Sequence, residues 1–374
     1  MRGKETIFIK GVVILLTSLV FQGTNWAAAE ELTVMTRNLY LGADLGPALV
    51  AQNEEQFLAA VFNILGTIEY NNFPERVEAL AAEIVEKKPH LVGLQEVSNF
   101  TIDGSNTGPP FNDYLEVLLA ALEAQGANYR VAAFVKNVDI TFPFASNMIG
   151  VLDRDVILAR GDVVTEVVDL DGLCQVSEDG CNYQVIAQVP NPIAPELPPL
   201  AIERGFLVVD ASVGNLSVRF VNTHLEEREV GPYRVLQFYQ AAELTGILAA
   251  LKSEELNPEG APLIVVGDFN SDPRDPVLDG PIPIVPPYMQ LTGAGYADTW
   301  TLRPGNPAGF TCCQEEDLLN PDSDLYERVD LIFSSETPAG VKVNTVGNDQ
   351  PDKTPSGLWP SDHAGVVGRL EFTP

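Results

Sequence analysis

The segment VVGDFNSDP at residues 265–273 runs from a short apolar stretch directly into a turn rich in Asp, Asn, Ser and Pro. Short apolar runs that are bounded by turn residues are typical of fully buried strands. The turn carries a carboxylate and an amide two residues apart, Asp268 and Asn270, which can both face one point. Taken alone, the segment is equally an Asx-type turn, because these residue types are the usual turn formers.

Similar polar clusters beside apolar strands recur at four other places in the chain. They are QEV at 95–97, NTHL at 222–225, RVDLI at 328–332 and SDH at 361–363. Two of the chain's three histidines, His224 and His363, lie in these clusters. Histidine is the side chain whose ordinary pKa suits proton transfer near neutral pH. We therefore expect the five clusters to converge on one site.

The hydrophobic pattern between the clusters predicts many strands and a few long helices. The clearest helical pattern, with apolar residues at i, i+3, i+4 and i+7, falls at residues 74–87, and helices are also predicted at 113–125 and 232–251. Strands are predicted at 32–38, 91–94, 129–135, 148–159, 206–211, 216–222, 263–266, 330–333, 341–345 and 365–372. This order predicts an α/β (α+β) fold, a four-layer α/β/β/α sandwich of two packed mixed sheets flanked by helices.

The first 29 residues have the features of a signal peptide: a basic start, a short apolar run and an Ala-Ala-Ala sequence at 27–29. A membrane anchor is the alternative, but the run is shorter than the roughly 20 residues that span a bilayer. We expect cleavage near Ala29 and a secreted, periplasmic or extracellular location. Residues 30–374 are then one domain, with insertions near 170–204 and 275–325, and we expect no transmembrane segment and a monomer.

The chain is strongly acidic, with 22 Lys and Arg against 52 Asp and Glu and a net charge of −30. Removal of residues 1–29 takes away three basic residues and one acidic residue, so the net charge becomes −32. Non-specific binding of nucleic acid draws its affinity from Lys and Arg that neutralise phosphates. The charge therefore weighs against a nucleic-acid substrate, although catalysis needs only transient binding.

The four cysteines invite disulfides in an exported chain. Cys174 and Cys181 are close enough to close a small loop, whereas the adjacent Cys312 and Cys313 could form a vicinal disulfide or pair elsewhere. Spacing leaves the connectivity open. A zinc site is disfavoured, because the sequence has no Cys-x-x-Cys motif and no histidine next to a cysteine.

Taken in order, the five clusters resemble the motifs of the endonuclease/exonuclease/phosphatase superfamily, and the resemblance spans residues from about 32 to 372. Its members include pancreatic-type deoxyribonucleases, abasic-site endonucleases, neutral sphingomyelinases and inositol polyphosphate phosphatases. Each motif is weak, but all five in order make a strong joint signal. The resemblance implies a metal-dependent phosphoester hydrolase of a secreted bacterial type that uses a divalent cation, first of all Mg²⁺, with Mn²⁺ or Ca²⁺ as alternatives.

The resemblance also implies roles for individual residues. It assigns the cation to Glu96 and Asp362, with Asn38 close by, and these are the oxygen ligands that hard cations take. His363 would take the proton from the attacking water or orient it, while Asp330 accepts the other ring N–H. Without the resemblance, Glu96 is equally a solvated carboxylate at a strand end, and Asp362 is a turn or helix cap.

A second group of residues would face the phosphate. The resemblance places His224 toward the phosphoryl oxygens or the leaving group, and Asp268 and Asn270 where they position the nucleophile and the phosphate. Arg204 matches the family's phosphate-side arginine more loosely, and a surface salt bridge with Glu203 or another neighbour is the competing interpretation. For His224 the alternative is a histidine of the core.

Two points stay open in the sequence. Asp153 and Asp155 lie on one face of a predicted strand, and either could support His224 as a carboxylate does in some relatives. The segment TRNLYLGAD at residues 36–44 departs from the family's first motif, which leaves Asp44 as an additional metal or substrate contact. A helix-capping role for Asp44 is favoured over that contact.

Among functions, the sequence favours an exported phosphodiesterase that acts on a lipid or small organic phosphodiester. A secreted non-specific endonuclease is the alternative of the same class. A catalytically inactive binding protein of the same fold is the alternative of another class, and it is disfavoured because both histidines and their expected partners are present.

Overall fold

The computed structural model describes residues 30–193, 196, 198–228, 233–305 and 307–373. Residues 1–29, where the sequence predicts a signal peptide, lie outside the described residues. Within the described ranges, no helix has the length and apolar character needed to cross a membrane.

The elements follow the predicted order. The helices are α1 (Gly46–Leu49), α2 (Glu54–Tyr70), α3 (Phe73–Lys87), α4 (Tyr114–Ala124), α5 (Tyr233–Leu251) and α6 (Pro287–Gly293). The strands are β1 (Glu30–Asn38), β2 (Leu91–Gln95), β3 (Asn99–Ile102), β4 (Tyr129–Phe144), β5 (Asn147–Arg160), β6 (Val164–Val167), β7 (Gln175–Ser177), β8 (Gly180–Asn182), β9 (Ala187–Val189), β10 (Leu200–Ile202), β11 (Gly205–Val213), β12 (Leu216–His224), β13 (Leu263–Asp268), β14 (Ala297–Asp298), β15 (Asp330–Ser334), β16 (Gly340–Val346) and β17 (Gly365–Phe372). The predicted strands are all present. The hairpin of β4 and β5 is longer than predicted, and its outer half has apolar residues at every second position, Val138, Ile140, Phe142 and Phe144, which the prediction did not use.

The strands form two large mixed sheets. In the first sheet the order is β16-β17-β1-β2-β5, and β3 and β4 both pair with β5. In the second sheet the order is β14-β15-β13-β12-β11-β8-β7, and β6 also pairs with β11. Each sheet has one parallel pair near its centre, β1 with β2 and β12 with β13. The strands β9 and β10 form a separate small ribbon.

Three apolar clusters define the layers. One lies between the two sheets and includes Val34, Phe220 and Val266. Another joins the first sheet to α3 and α4, and the last joins the second sheet to α5. Helices therefore cover the outer face of each sheet, and the predicted four-layer α/β/β/α sandwich is confirmed.

The two sheets approach most closely beneath the motif residues. Asn222 of β12 accepts a hydrogen bond from Gln95 Nε2 at 2.6 Å and donates one to the Leu94 carbonyl at 3.0 Å. A side chain at Gly93 would collide with Asn222 and Val266. The glycine therefore allows the close approach that brings the ends of both sheets to one cleft.

Strand register explains why motifs far apart in sequence meet. Asn38 and Gln95 are paired at the ends of the parallel strands β1 and β2. In the second sheet His224 is paired with Asp268, which is paired in turn with Asp330 at the start of β15. Because β15 is antiparallel to β13, its first residue lies at the edge where β13 ends. The RVDLI motif thus precedes its strand, whereas GDFN follows one.

The cysteines pair within each half of the sequence. Cys174 is bonded to Cys181, with 6.0 Å between their Cα atoms, and Cys312 is bonded to Cys313. The first disulfide closes the short hairpin of β7 and β8, as the spacing allows. No free cysteine is found among the described residues.

Candidate active site

Glu96 follows β2 in a left-handed backbone conformation, with a φ of 55°. Its Oε2 accepts a hydrogen bond from the Leu41 backbone N–H at 2.7 Å, and its Oε1 accepts one from Asn38 Nδ2 at 2.9 Å. Burial raises the pKa of Glu96 to about 7, and the charge of Asp362 contributes to the rise. A nearby positive charge would strongly stabilise the ionised form of this buried carboxylate.

Asn38 connects the two sheets at the site. Its Nδ2 donates to Glu96 and also to Asp268 Oδ2 at 3.1 Å, and its Oδ1 accepts from the Tyr40 backbone N–H at 2.9 Å. The amide nitrogen, and not the oxygen, therefore faces the carboxylates. In this arrangement Asn38 holds two carboxylates together, and its predicted place beside the cation stays a prediction.

Asp362 lies beside Asn38 and Glu96. Ser361 Oγ approaches Asp362 Oδ1 at 3.3 Å and the Asn38 carbonyl at 2.8 Å, which ties the SDH motif to the end of β1. Burial raises the pKa of Asp362, and the charge of Asp268 raises it further against the lowering effect of His363. Asp362 is thus a second carboxylate that faces Glu96.

The donor set fits a hard divalent cation. Glu96, Asp362 and Asp268 are carboxylates whose pKa values are all raised, each first by burial and then by a neighbouring carboxylate. Oxygen ligands with an excess of negative charge are what Mg²⁺, Mn²⁺ and Ca²⁺ take in proteins. Glu96 and Asp362 are therefore the residues that would hold the cation.

His363 and Asp330 form a buried pair. The distance from His363 Nδ1 to Asp330 Oδ2 is 2.7 Å, and His363 Nε2 lies 3.8 Å from Asp268 Oδ2. Burial lowers the pKa of His363, but Asp330, Asp362 and Asp268 together outweigh it and raise this pKa well above its usual value. Asp268, Asp330 and His363 offer three potential metal ligand atoms within 4.8 Å of one another. The short bond from His363 to Asp330 is also that of a carboxylate–imidazole pair, which fixes the ring for proton transfer.

His224 lies across the cleft and is held by Arg204. Arg204 Nη1 is 3.1 Å from His224 Nδ1 and 3.3 Å from Nε2. Burial lowers the pKa of His224 well below its usual value, and the charges of Arg204 and His363 lower it further. Because His224 Nε2 also lies 3.7 Å from Asp268 Oδ2, this carboxylate oxygen stands between the two histidines. The pKa values of the two histidines are therefore shifted in opposite directions.

Asp155 is the carboxylate next to His224. Its Oδ1 is 3.8 Å from His224 Nδ1, and neither of its buried oxygens has a hydrogen-bond partner among the described residues. Asp153 instead accepts hydrogen bonds from Ser98 at 3.0 Å and Asn137 at 3.3 Å. The geometry thus separates two aspartates that period-two alternation leaves equivalent.

Arg204 is partly buried directly before β11, with its Nη2 3.5 Å from Glu226 Oε1. Of the competing interpretation, a surface salt bridge with Glu203 or another neighbour, the structure has an ion pair with Glu226 that is largely buried. Arg204 Nε is buried without a hydrogen-bond partner among the described residues. A guanidinium placed in this way has donors to spare for an anion beside His224.

The GDFN segment forms the Asx-type turn, and one oxygen of Asp268 also faces the cleft. Asp268 Oδ1 accepts from the Asn270 backbone N–H at 2.9 Å, which makes an Asx-type turn, while Oδ2 faces the histidines. The side-chain amide of Asn270 donates to the Leu225 carbonyl at 2.9 Å. Gly267 has a φ of 150°, and a side chain there would collide with the Thr223 carbonyl. The turn is therefore built to point one oxygen of Asp268 into the cleft.

Asp44 lies at the rim. Its side chain is exposed and accepts a hydrogen bond from the Gly46 backbone N–H at 2.7 Å, as expected for a turn-capping aspartate. Its backbone N–H approaches Glu316 at 3.3 Å. These contacts account for Asp44 without a ligand.

Two buried arginines that support the site were missed in the sequence. Arg76 of α3 donates to the carbonyls of Leu39, Tyr40, Asn71 and Pro360. Arg37 donates to the His363 carbonyl and to Glu83 Oε1, the latter at 3.0 Å. Arg76 could have been found in the sequence, because it lies within the apolar stripe of an amphipathic helix. Together they fix the segment that carries His363 and the residues next to Leu41, which binds Glu96.

An Asp–His pair beside a cluster of carboxylates, at the edge shared by two sheets, defines a hydrolase. The profile of the endonuclease/exonuclease/phosphatase family matches residues 60–363, and the chain belongs to this family. Members of the family hydrolyse phosphoester bonds and generally use a divalent metal, so this chain is a phosphoester hydrolase. A search of curated proteins gave no match.

Solved structures share the fold. One is an endonuclease/exonuclease/phosphatase family protein from Leptotrichia buccalis C-1013-b, with a TM-score of 0.53 and 16% identity over 91% of this chain and 100% of that chain. Another is TDP2 from C. elegans, with a TM-score of 0.50 and 17% identity over 91% of this chain and 75% of that chain. The third is the mannosyl-6-phosphatase Bt3783 of Bacteroides thetaiotaomicron VPI-5482, with a TM-score of 0.50 and 18% identity over 91% of this chain and 100% of that chain. At these identities the similarity extends to the fold alone.

Proposed function

We propose that this hydrolase is an exported phosphodiesterase that depends on a divalent cation and acts on a lipid or small organic phosphodiester. The observation that carries the proposal is the position of Asp268 Oδ2, which lies 3.8 Å from His363, 3.7 Å from His224 and 3.1 Å from Asn38. This oxygen of Asp268 thus lies next to the His363–Asp330 pair, next to His224, where we place the phosphate, and next to Asn38, which binds Glu96.

In the proposed reaction, His363 takes the proton from the attacking water, and the buried charge of Asp330 stabilises the imidazolium that forms. Asp268 orients that water. The Arg204 guanidinium and neutral His224 donate to the phosphoryl oxygens, and Asn270 keeps Asp268 in place through the turn. Glu96 and Asp362 would hold the divalent cation, whose positive charge would offset the charge that develops on the phosphate.

The acidic surroundings of the cleft support the small or lipid substrate. Exposed Asp44 lies next to Glu316, and the pKa of Glu227 is raised first by burial and then, against the lowering effect of Arg204, by the charges of Glu226, Asp268 and Asp44. A polyanion would meet this rim of carboxylates along several phosphates, whereas one phosphodiester group meets only the centre. The net charge of −30 acts in the same direction.

The test of the reaction type compares an aryl phosphodiester with the matching monoester, bis(4-nitrophenyl) phosphate and 4-nitrophenyl phosphate, each with Mg²⁺, Mn²⁺, Ca²⁺ or a chelator. We expect cation-dependent release of nitrophenol from the diester at a rate well above that from the monoester. The His363→Ala variant serves as the inactive control. Folded protein without activity on either ester under every cation would support the inactive binding protein instead.

The test of the substrate class places sphingomyelin vesicles, glycerophosphodiesters, plasmid DNA and RNA side by side at one salt concentration. We expect kcat/KM to be highest for a lipid or small diester. Preferential cleavage of DNA or RNA would replace this proposal with the secreted endonuclease. Export is tested separately, by expressing the full chain and reading the N-terminus of the product, which we expect to begin near Glu30.

A further inference from the structure

The segment that contains the adjacent cysteines is bonded to the catalytic loop. The Ala364 N–H donates to the Thr311 carbonyl at 2.7 Å, and the Gln314 N–H donates to the Asp362 carbonyl at 2.8 Å. Cys312 also forms an isolated bridge with His363. These backbone contacts hold residues 311–314 beside the SDH motif, so the two cysteines cannot leave His363 without breaking them.

The cysteine sulfurs and the imidazole form a cluster. Cys312 Sγ, Cys313 Sγ and a ring nitrogen of His363 all lie within 4.8 Å of one another. Cys312 is buried, whereas Cys313 is partly exposed and open to a small reagent. In the structure the two sulfurs are joined as a disulfide. A disulfide sulfur is a poor metal ligand, but the two thiolates that replace it on reduction are strong ones.

We propose that reduction of the Cys312–Cys313 disulfide creates a site for a soft divalent cation such as Zn²⁺ or Cd²⁺, bound by both thiolates and His363, and that its occupation inhibits the hydrolase. Two sulfurs and one imidazole nitrogen are the ligands that these cations prefer, with water as the fourth. The carboxylate cluster of Glu96 and Asp362 selects hard cations instead. The chain thus has two metal sites of opposite preference that share one loop.

The chemistry balances with a dithiol as the reductant. The dithiol gives two electrons and two protons, and becomes a cyclic disulfide, while the Cys312–Cys313 bond breaks to two thiols. Binding of the cation then releases the two thiol protons to solvent. Ligation through Nε2 blocks the nitrogen that would accept the proton from water, and ligation through Nδ1 removes the pairing with Asp330, so hydrolysis stops in either case. The inhibitory half of this proposal rests on the proposed role of His363, whereas the binding half does not.

The experiment measures binding and activity separately. Full-length protein is reduced with a dithiol, freed of reagent under argon and titrated with Cd²⁺, and the thiolate-to-cadmium charge-transfer absorption is recorded. We expect this band in the reduced protein and not in the oxidised protein. The matched control is the Cys174→Ser/Cys181→Ser variant, which removes the other disulfide and should keep the band. The Cys312→Ser/Cys313→Ser variant should lose it.

The role of His363 is tested in the same titration. We expect His363→Ala to weaken Cd²⁺ binding by at least the roughly 10–100-fold that loss of a supporting metal contact costs. Unchanged affinity in that variant, or a full band in the Cys312→Ser/Cys313→Ser variant, would overturn the site. Should a serine variant fail to fold, wild-type protein alkylated with iodoacetamide after reduction takes its place and should show no band.

Inhibition is measured on bis(4-nitrophenyl) phosphate with saturating Mg²⁺. We expect Zn²⁺ to abolish the activity of the reduced protein at concentrations that leave the oxidised protein active. Cadmium binding with full retention of activity would overturn the inhibition and count against the role of His363. If the oxidised protein has no hydrolase activity at all, the proposed function fails, while the absorption titration still decides whether the thiolate site exists.

Discussion

The Asp330→Asn substitution tests the proton-handling pair most directly. Asparagine keeps the size of the side chain, but it removes the charge that faces His363 Nδ1 at 2.7 Å. Both side chains are almost fully buried, with Asp330 1% and His363 6% exposed, so water screens the pair weakly. A carboxylate-to-amide change in a buried pair of this kind costs about 10⁴ in the kcat of a serine protease. We expect a loss of about 10²–10⁴ in kcat here, equivalent to roughly 3–5 kcal/mol.

The assay is kcat for bis(4-nitrophenyl) phosphate at saturating cation, measured for Asp330→Asn, His363→Ala and the double variant. Since the two residues act as a unit, the double variant should lose little more than His363→Ala alone. Losses that multiply would refute the pairing, as would an Asp330→Asn enzyme within about threefold of wild type. Asp324→Asn, an exposed aspartate just before the same strand, is the control. Melting temperatures of all variants separate loss of catalysis from loss of folded protein.

Three further predictions follow from the geometry. Glu96→Gln should raise the Mg²⁺ concentration for half-maximal activity by about tenfold or more, because it removes a charged ligand, and a cation titration of activity checks this. Asp155→Asn should lower kcat/KM about tenfold or more, because Asp155 lies next to His224. Asp153→Asn should lower kcat/KM less, because the Asp153 carboxylate has other partners. Steady-state kinetics of the two variants would show the reverse order if Asp153 supports His224. Burial raises the pKa of Glu83 to about 7 against the attraction of Arg37, so its contribution to stability is fully present below pH 4.5 and is lost as the pH rises to 7 and above. In the wild type, urea denaturation should therefore show that the free energy of unfolding falls by about 3 kcal/mol between these pH values. Glu83→Gln should not show this fall, whereas the exposed Glu86→Gln should still show it.

Much of the architecture could be predicted from the sequence, because buried strands and amphipathic helices carry strong hydrophobic patterns. Residues 365–372 were predicted as a strand with the bounds that β17 has. The outer half of β4 was not predicted, although Val138, Ile140, Phe142 and Phe144 alternate as in a strand. The strands β7 to β10 were not predicted either, because runs of three residues are too short to show a hydrophobic pattern.

The candidate site was predicted as a set of residues but not as a set of contacts. The polar clusters converge as expected, yet Asp330 begins its strand and His363 precedes its strand, because β15 and β17 are antiparallel to their central neighbours. Local sequence does not carry strand direction. The arginine contacts were missed for a related reason, since Arg76 binds backbone carbonyls whose positions exist only in the folded chain.

The cysteines show the limit of arguments from spacing. A zinc site was disfavoured because no histidine lies near a cysteine in sequence, yet His363 lies beside Cys312 and Cys313 in space. The separation of 50 residues is closed by the backbone bridge between the two segments. Proximity of this kind depends on tertiary structure, which spacing does not report.

The pairing of β1 with β17, in which Glu30 faces Phe372, brings the first and last described strands together in one sheet. His363 lies two residues before β17, and its partner Asp330 belongs to the other sheet. A chain whose last strand has not docked would therefore lack the contact between these two side chains. Contacts between such distant segments form slowly. With His363 as the proposed base, hydrolytic activity would appear only once β17 has docked.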